Sequence, residues 1–444
     1  MHRRCPHTMI ALTALLVWSV NAPGLSAQEL AVVNGTILNP ADESARPGVL
    51  LIDDGVVVGV ADGLPAGFDG EVVDAQGGFV LPALADMHTH SFGNSPPAGA
   101  PQILGPQGTA NAALYNDVAF VLDLFSPEEM ILGFRDQQRS GGGSGAELLA
   151  AGPCLTATNG HCSEYGVPTR LVDTPEDARR EVAELAPNRP DVVKIVYDNQ
   201  TYGGRSMPTV DRPTLEAVIA AARQHGFKTV VHVGTWQDVR DAALAGAAAV
   251  THTPGPDPLP SDLPAILVEV GTFHIPTLSV QGDFARIEDD PSLLDDPLLV
   301  ESVPETLREA YRLRGEVPPG VRGWIDWQRT LIAPNLAAVG ELAAAGVPML
   351  TGTDGGNFAV FQGYSVHREL VHLVEAGLGP WAALRASTTD AARFLGREWG
   401  VEVGGEATLI VLEASPVEDI TATRRIRTVI QRGVVVERRA LQSW

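Results

Sequence analysis

Side chains able to hold a metal recur in this chain at the ends of short apolar runs. The run Leu81-Pro82-Ala83-Leu84-Ala85-Asp86 is followed by Met87-His88-Thr89-His90. Residues two apart on an extended chain point the same way, so both imidazoles project together with chelating geometry. Taken alone, a pair of this kind is more often a coincidence or a substrate contact than a metal site. A second run, Asp191 to Tyr197, carries Lys194, and the chain's other lysine is Lys228. A buried ammonium costs several kcal/mol unless it is paired or neutralised. Lys194 therefore needs an ion pair, a stem that snorkels to the rim, or conversion to a carbamate whose carboxylate bridges two cations. Three further runs end Val230-Val231-His232, Val250-Thr251-His252 and Thr351-Gly352-Thr353-Asp354. Imidazole and carboxylate together suit Zn²⁺, a Lewis acid that needs no redox chemistry.

Stepping outward, these ends belong to a repeated pattern. Apolar strand candidates span 79–86, 118–124, 147–153, 192–197, 229–233, 248–251, 273–278 and 347–353. Amphipathic stretches such as PEDARREVAELA, PTLEAVIAAARQHG and LIAPNLAAVGELAAAG separate several of them. Alternation of this kind predicts an α/β fold, a (β/α)8 TIM barrel over residues 81–400, with the candidate residues at the C-terminal strand ends where barrel enzymes place active sites. Residues 28–80 and 401–444 are short, strand-like and broken by Asn34-Gly35, Asp54-Gly55 and Gly77-Gly78, which predicts one small β-sandwich formed by both chain ends. Asp283 to Gln328 looks like an insertion forming a lid or a helical excursion. Gly141 to Gly145 lacks a following Lys-Ser/Thr and reads as a loop rather than a phosphate cradle. His225, His274, His367 and His372 sit away from the strand ends and are assigned structural roles.

Composition narrows the function. The chain has 444 residues, 45% of them hydrophobic and 19% charged, with a formal charge of −23. That profile excludes disordered, collagenous and disulfide-scaffold proteins. An acidic surface repels phosphate backbones and anionic headgroups, so no nucleic acid and no stable membrane association are expected, and the partner is a small-molecule substrate. Association into a homo-oligomer stays open. Residues 1–27 read as a signal peptide: Arg3 and Arg4, an apolar run from Met9 to Val20, and the small-residue site Leu25-Ser26-Ala27. The run is too short to span a bilayer, so a secreted protein, periplasmic or extracellular, is expected. In that compartment Cys154 and Cys162 either close a disulfide or remain free thiols. No GxSxG elbow or cysteine nucleophile competes with the metal-competent set.

Taken together, LPALADMHTH, VVKIVYD, VVHVGT, VTHTPG and LTGTDGGN resemble the amidohydrolase superfamily, in its binuclear-metal form with a carbamylated lysine, as in imidazolonepropionase- and prolidase-like members. GEATLIVLEASPVEDI resembles the stretch where such chains return to the sandwich, although it lacks the usual Lys and Asp. Leu122-Asp123 likewise departs from the common Arg-Asp form of the second strand. The resemblance implies two divalent metal ions, one held by His88, His90 and Asp354, the other by His232 and His252, with a carbamate on Lys194 bridging them. It further implies a shared hydroxide that attacks an amide-type carbonyl, with Asp354 as catalytic proton shuttle. His161, in Thr158-Asn159-Gly160-His161-Cys162, resembles a loop histidine placed near the substrate, or is simply hydrogen-bonded within its loop. Tyr197 and Tyr202 either contact substrate or cover the rim. Rival readings are a deaminase, which would carry Glu where this chain has Thr235, a lactonase or esterase on the same barrel, and a non-catalytic metal-binding scaffold.

Overall fold

The computed structural model describes residues 30–92, 104–201, 206–312, 317 and 319–442. The expected signal peptide and Tyr202 lie outside the described residues. Parallel strands, most of them followed by a helix, make up the middle of the chain. One sheet holds Leu84–Thr89, Val118–Asp123 and Glu147–Ala150 in that order. The other runs Arg170–Leu171, Cys154–Thr156, Val192–Tyr197, Lys228–Val233, Ala249–Thr251, Phe273–Ile275. Apolar side chains fill the strands almost without interruption, as expected where both faces are covered. Asp191 N donates to Ala150 O at 2.9 Å, linking the two sheets on one side.

Three of the expected strands differ in instructive ways. Residues 79–86 split at Pro82-Ala83: Phe79–Pro82 pairs antiparallel with Leu409–Leu412 in the terminal sheet, and Leu84–Thr89 begins the parallel one. Proline supplies no N–H to a ladder, so the chain changes sheet there. Residues 147–153 break at Gly152, whose φ is +80°, and resume as Cys154–Thr156. The eighth expected strand, 347–353, forms isolated bridges instead of a ladder. Its backbone still pairs on both sides: Leu350 N donates to His274 O at 2.9 Å, and Met87 N donates to Thr351 O at 2.8 Å. Asp354 at φ +62° interrupts the extended geometry that a longer ladder requires.

Helix placement follows capping chemistry. Thr174 and Asp211 accept the N3 amides of Pro175–Leu185 and Arg212–Gln224, and Thr235 forms a capping box with Asp238 at the start of Trp236–Ala245. Each such cap contributes about 1 kcal/mol. The amphipathic stretches read from the sequence are therefore the helices that follow the strands. Asp283 and Gln328, the expected limits of the insertion, both lie inside helices, Leu278–Asp289 and Pro319–Ala344, with shorter helices between them. Among the described residues no helix is long and apolar enough to cross a membrane.

Both chain ends join in one eight-stranded sheet. Ile37, Leu50, Ile52, Val80, Leu409, Val411 and Ile430 bury their side chains together on its inner face. Val57 N donates to Gly405 O and Ala407 N to Gly55 O, so the two chain ends close together around that core. Glu147, in the three-stranded parallel sheet, grips Arg397 at 2.7 and 2.9 Å and also pairs with Arg432 of the terminal sheet. This nearly buried carboxylate ties the terminal sheet to the floor beneath the site.

Candidate active site

The strand ends converge on one cavity of about 340 Å³, lined by His88, His90, His161, Lys194, His232, His252 and Asp354 among others. Strand alternation explains how. In Val192–Tyr197 the side chains of Val192, Lys194 and Val196 share one face, which looks into the cavity, while Tyr197 shares the other with Ile195. Tyr197 accordingly turns to the helix layer and donates its hydroxyl to Asp241 at 3.2 Å. Tyr197 is not among the residues that line the cavity.

Each imidazole is anchored through one nitrogen and offers the other. His88 Nδ1 lies 2.6 Å from Thr251 Oγ1, and His252 Nδ1 lies 2.8 Å from Thr277 Oγ1. His90 Nδ1 faces the carbonyl oxygen of Phe125 at 3.1 Å. A carbonyl only accepts, so Nδ1 is the donor of that pair and Nε2 is the nitrogen turned to the cavity. His90 Nε2 lies 2.7 Å from Asp354 Oδ1, and His88 Nε2 lies 3.3 Å from the same oxygen. Two imidazole nitrogens and a carboxylate oxygen thus converge as ligand-type atoms able to share one cation. His232 reverses the pattern: its Nε2 meets the buried carboxylate of Asp198 at 2.9 Å, leaving Nδ1 for the cavity. Neighbouring imidazole rings run His90, His88, His252, His232, His161 with centroids 5.1, 5.1, 4.4 and 4.8 Å apart.

Electrostatics favour ligation over protonation. Burial pulls His88 and His252 well below the usual histidine range and His232 down to about 4, the last against the pull of Asp198. Burial alone would raise the Asp354 carboxyl, and the neighbouring His90, His252 and Lys194 reverse that and hold it ionised. Burial draws the Lys194 ammonium down to about 8 against the attraction of Asp354. Lys194 Nζ is buried without a hydrogen-bond partner, and Asp354 Oδ1 accepts no well-aligned bond. Unsatisfied buried groups of this kind are costly unless something absent from the polypeptide satisfies them. His88, His252 and Asp354 form a candidate metal-binding group, with ligand atoms within 4.8 Å of one another. Neutral imidazoles, a carboxylate and an orphaned amine fit divalent ions.

The backbone is strained where the ligands sit. His252 and Asp354 adopt φ of +77° and +62°, a region that non-glycine residues enter at a cost and that clusters at functional sites. Asp86 stabilises this turn: it accepts from His88 N at 3.1 Å, from Thr353 N at 3.0 Å and from Thr353 Oγ1 at 2.6 Å. Neither Asp86 nor Asp198 was singled out from the sequence, although alternation along Lys194, Val196, Asp198 points to the second. His161 lines the cavity with Nδ1 on Glu164 Oε1 at 2.8 Å. Cys154 and Cys162 are free thiols buried with Phe125 and Val196. His367 and His372 are satisfied by Thr423 with Asn116 and by Asp283, His274 meets Thr253 through Nε2 while its buried Nδ1 has no hydrogen-bond partner, and His225 caps a helix C-terminus.

A family model described as the amidohydrolase family matches residues 79–436. The chain belongs to that family. Solved structures similar to this amidohydrolase include a Xaa-Pro dipeptidase with bound methionine, at 20% identity and TM-score 0.74 over 92% of this chain and 99% of the other. Molinate hydrolase is 19% identical, TM-score 0.72, over 94% and 96%. Phenylurea hydrolase B is 20% identical, TM-score 0.71, over 94% and 98%. At these identities the likeness establishes the fold, a TIM-barrel-type α/β architecture with an attached sheet domain. No curated protein sequence matches the chain.

Proposed function

We propose that this amidohydrolase is a metal-dependent hydrolase of an amide-type C–N bond, holding two divalent ions, with His88, His90 and Asp354 serving one, His232 and His252 the other, and carbamylated Lys194 between them. The observation that carries the proposal is the convergence of His88 Nε2 and His90 Nε2 on Asp354 Oδ1 beside the unpartnered Lys194 Nζ. We read the two parallel sheets, joined through Asp191 and through 347–355, as one (β/α)8 ring around this site. Bound ions would supply a Lewis acid for the substrate carbonyl and lower the pKa of water toward neutrality, which makes it a nucleophile without serine or cysteine.

The chain's own residues do the rest. Asp354, ionised and at the junction of the ligands, takes the proton of the attacking water on its free carboxylate oxygen and passes it to the leaving nitrogen. Asp198 fixes the His232 ring so that Nδ1 faces inward. The His161 ring, steered by Glu164, is placed to touch the substrate. Thr235, where a deaminase of this superfamily would carry Glu, is a helix cap, which argues against deamination. The neighbours' own activities, on a Xaa-Pro dipeptide, molinate and a phenylurea, support C–N hydrolysis in general without fixing the substrate. The expected export signal completes the proposal, and an N-terminus at Gln28 in protein recovered from the periplasm or medium would bear it out. The zinc-loaded protein, screened against dipeptides and N-acyl amino acids and amides, should hydrolyse at least one class. Absence of both metal and turnover would overturn the reading.

A further inference from the structure

The cavity continues into a second lobe of about 510 Å³, which meets the first at His232, His252 and Asp354. One wall is set by the helix Pro319–Ala344, where Trp324, Trp327 and Leu331 recur at spacings of three and four and so share a face. Both indoles are half-buried. Trp324 is braced by Phe284 and Phe358, with ring centroids 5.6 and 5.3 Å away. Gly320 and Gly323 also line the lobe, and a Cβ at either would meet nothing within 4 Å, so the space before the indoles is open.

The remaining wall is mixed: among the described residues polar His161, Tyr165, Gln200 and Asn357 line it, no lysine or arginine does, and its one carboxylate is Asp354 at the junction with the first lobe. Val280 contributes an aliphatic surface. The Gln281 amide is already committed, donating to Thr253 O at 3.0 Å and accepting from Asn335 Nδ2 at 2.9 Å. The helix itself is locked: buried Gln328 accepts from Ala285 N at 3.0 Å and donates to Val280 O at 2.6 Å. The indole wall is thus preorganised and needs no reordering on binding, which is the condition under which aromatic contact converts most fully into affinity. Indole faces bind flat rings by offset or edge-on contact in addition to excluding water.

We propose that this lobe is a subsite for a flat, uncharged aromatic substituent on one side of the scissile bond, so that the substrate class is aryl-bearing neutral amides. The proposal rests on the amide-hydrolase reading and narrows it. Its test compares neutral acetamides and glycinamides carrying a benzyl group on the amine or the acyl side with their isobutyl counterparts, two groups of similar effect on amide reactivity. Binding is measured by calorimetry and kcat/KM on the zinc-loaded full chain, for wild type, Trp327→Ala and Trp327→Phe. One benzyl compound should bind and turn over about 10- to 100-fold better than its isobutyl partner. Trp327→Ala should reduce that ratio to within about threefold, and Trp327→Phe should restore most of it. Equal affinity for benzyl and isobutyl compounds in the wild type, or a ratio unchanged by Trp327→Ala, would overturn the subsite. Turnover of none of the compounds would count against amide hydrolysis, and the calorimetric ratio would then decide the subsite by itself.

Discussion

Asp198 touches no part of the cavity directly, yet its removal should weaken metal binding. Its carboxylate is buried and accepts three donors: Gln200 N at 2.8 Å, Gln200 Nε2 at 2.6 Å and His232 Nε2 at 2.9 Å. The last bond forces the proton onto Nε2 and presents the Nδ1 lone pair inward. In Asp198→Ala the ring loses its orienting partner, and a buried N–H is left unmatched at a cost of about 1–3 kcal/mol. Partners of this kind, when mutated, typically lower metal affinity 10- to 100-fold, or about 1.4–2.7 kcal/mol. The ion held through His88, His90 and Asp354 should be unaffected. Titrating wild type and variant with zinc against a chromophoric chelator at constant pH resolves the two ions. Only one of the two binding steps should shift, and Asp198→Asn, whose amide oxygen still accepts, should shift it less. Two affinities within twofold of wild type in Asp198→Ala would refute the orienting role.

Asp354→Asn should lower kcat by on the order of 10² or more with metal retained, and a matching change in KM alone would instead mark a binding role. Gly352→Ala should destabilise the protein by about 1–3 kcal/mol and reduce its metal content, because a Cβ there would lie 2.4 Å from Ile275 Cγ2 and 2.9 Å from His88 Cβ; unchanged melting temperature and metal would contradict this. The buried Asp283 meets His372 Nε2 at 2.7 Å and Arg368 at 3.3 Å. Burial opposes both charges, yet the pairing holds the aspartate below its usual range and raises the histidine above its own. The aspartate's stabilising contribution is therefore present above about pH 4 and lost on acidification, while the histidine's is present below about pH 6.5 and fades as pH rises through its folded pKa. Asp283→Asn should lower the melting temperature most at pH 5–6, by about 3–5 kcal/mol equivalent, and a penalty equal from pH 4 to 8 would refute the pairing.

Much of the site was legible because strand alternation and strand ends are local properties. His88, His90, Lys194, His232 and His252 each follow from an apolar run and its parity. The same parity sets Tyr197 opposite Lys194, and the side chain indeed turns to the helices. What stayed hidden depended on contacts distant in sequence. Nothing in 79–86 distinguishes a strand of the terminal sheet from one of the parallel sheet, because both are apolar and only Pro82 marks the exchange. Residues 347–353 read as a strand by hydrophobicity, but delivering the adjacent Asp354 carboxylate to the histidines requires a positive φ that breaks the ladder. Trp324 and Trp327 face the second lobe only because Gln328 fastens their helix to Leu278–Asp289, a pairing across more than forty residues that no local pattern encodes.

Two divalent ions with Lys194 between them are the centre of the proposed site. Protein purified with zinc and bicarbonate should carry about two ions per chain by inductively coupled plasma mass spectrometry, since this ligand set completes two sites only with the lysine bridging. Lys194→Ala should fall to about one ion or fewer and lose amide turnover, with partial recovery of both when a short carboxylic acid is added. Wild type without metal, or a Lys194→Ala variant with its full complement, would contradict the central claim.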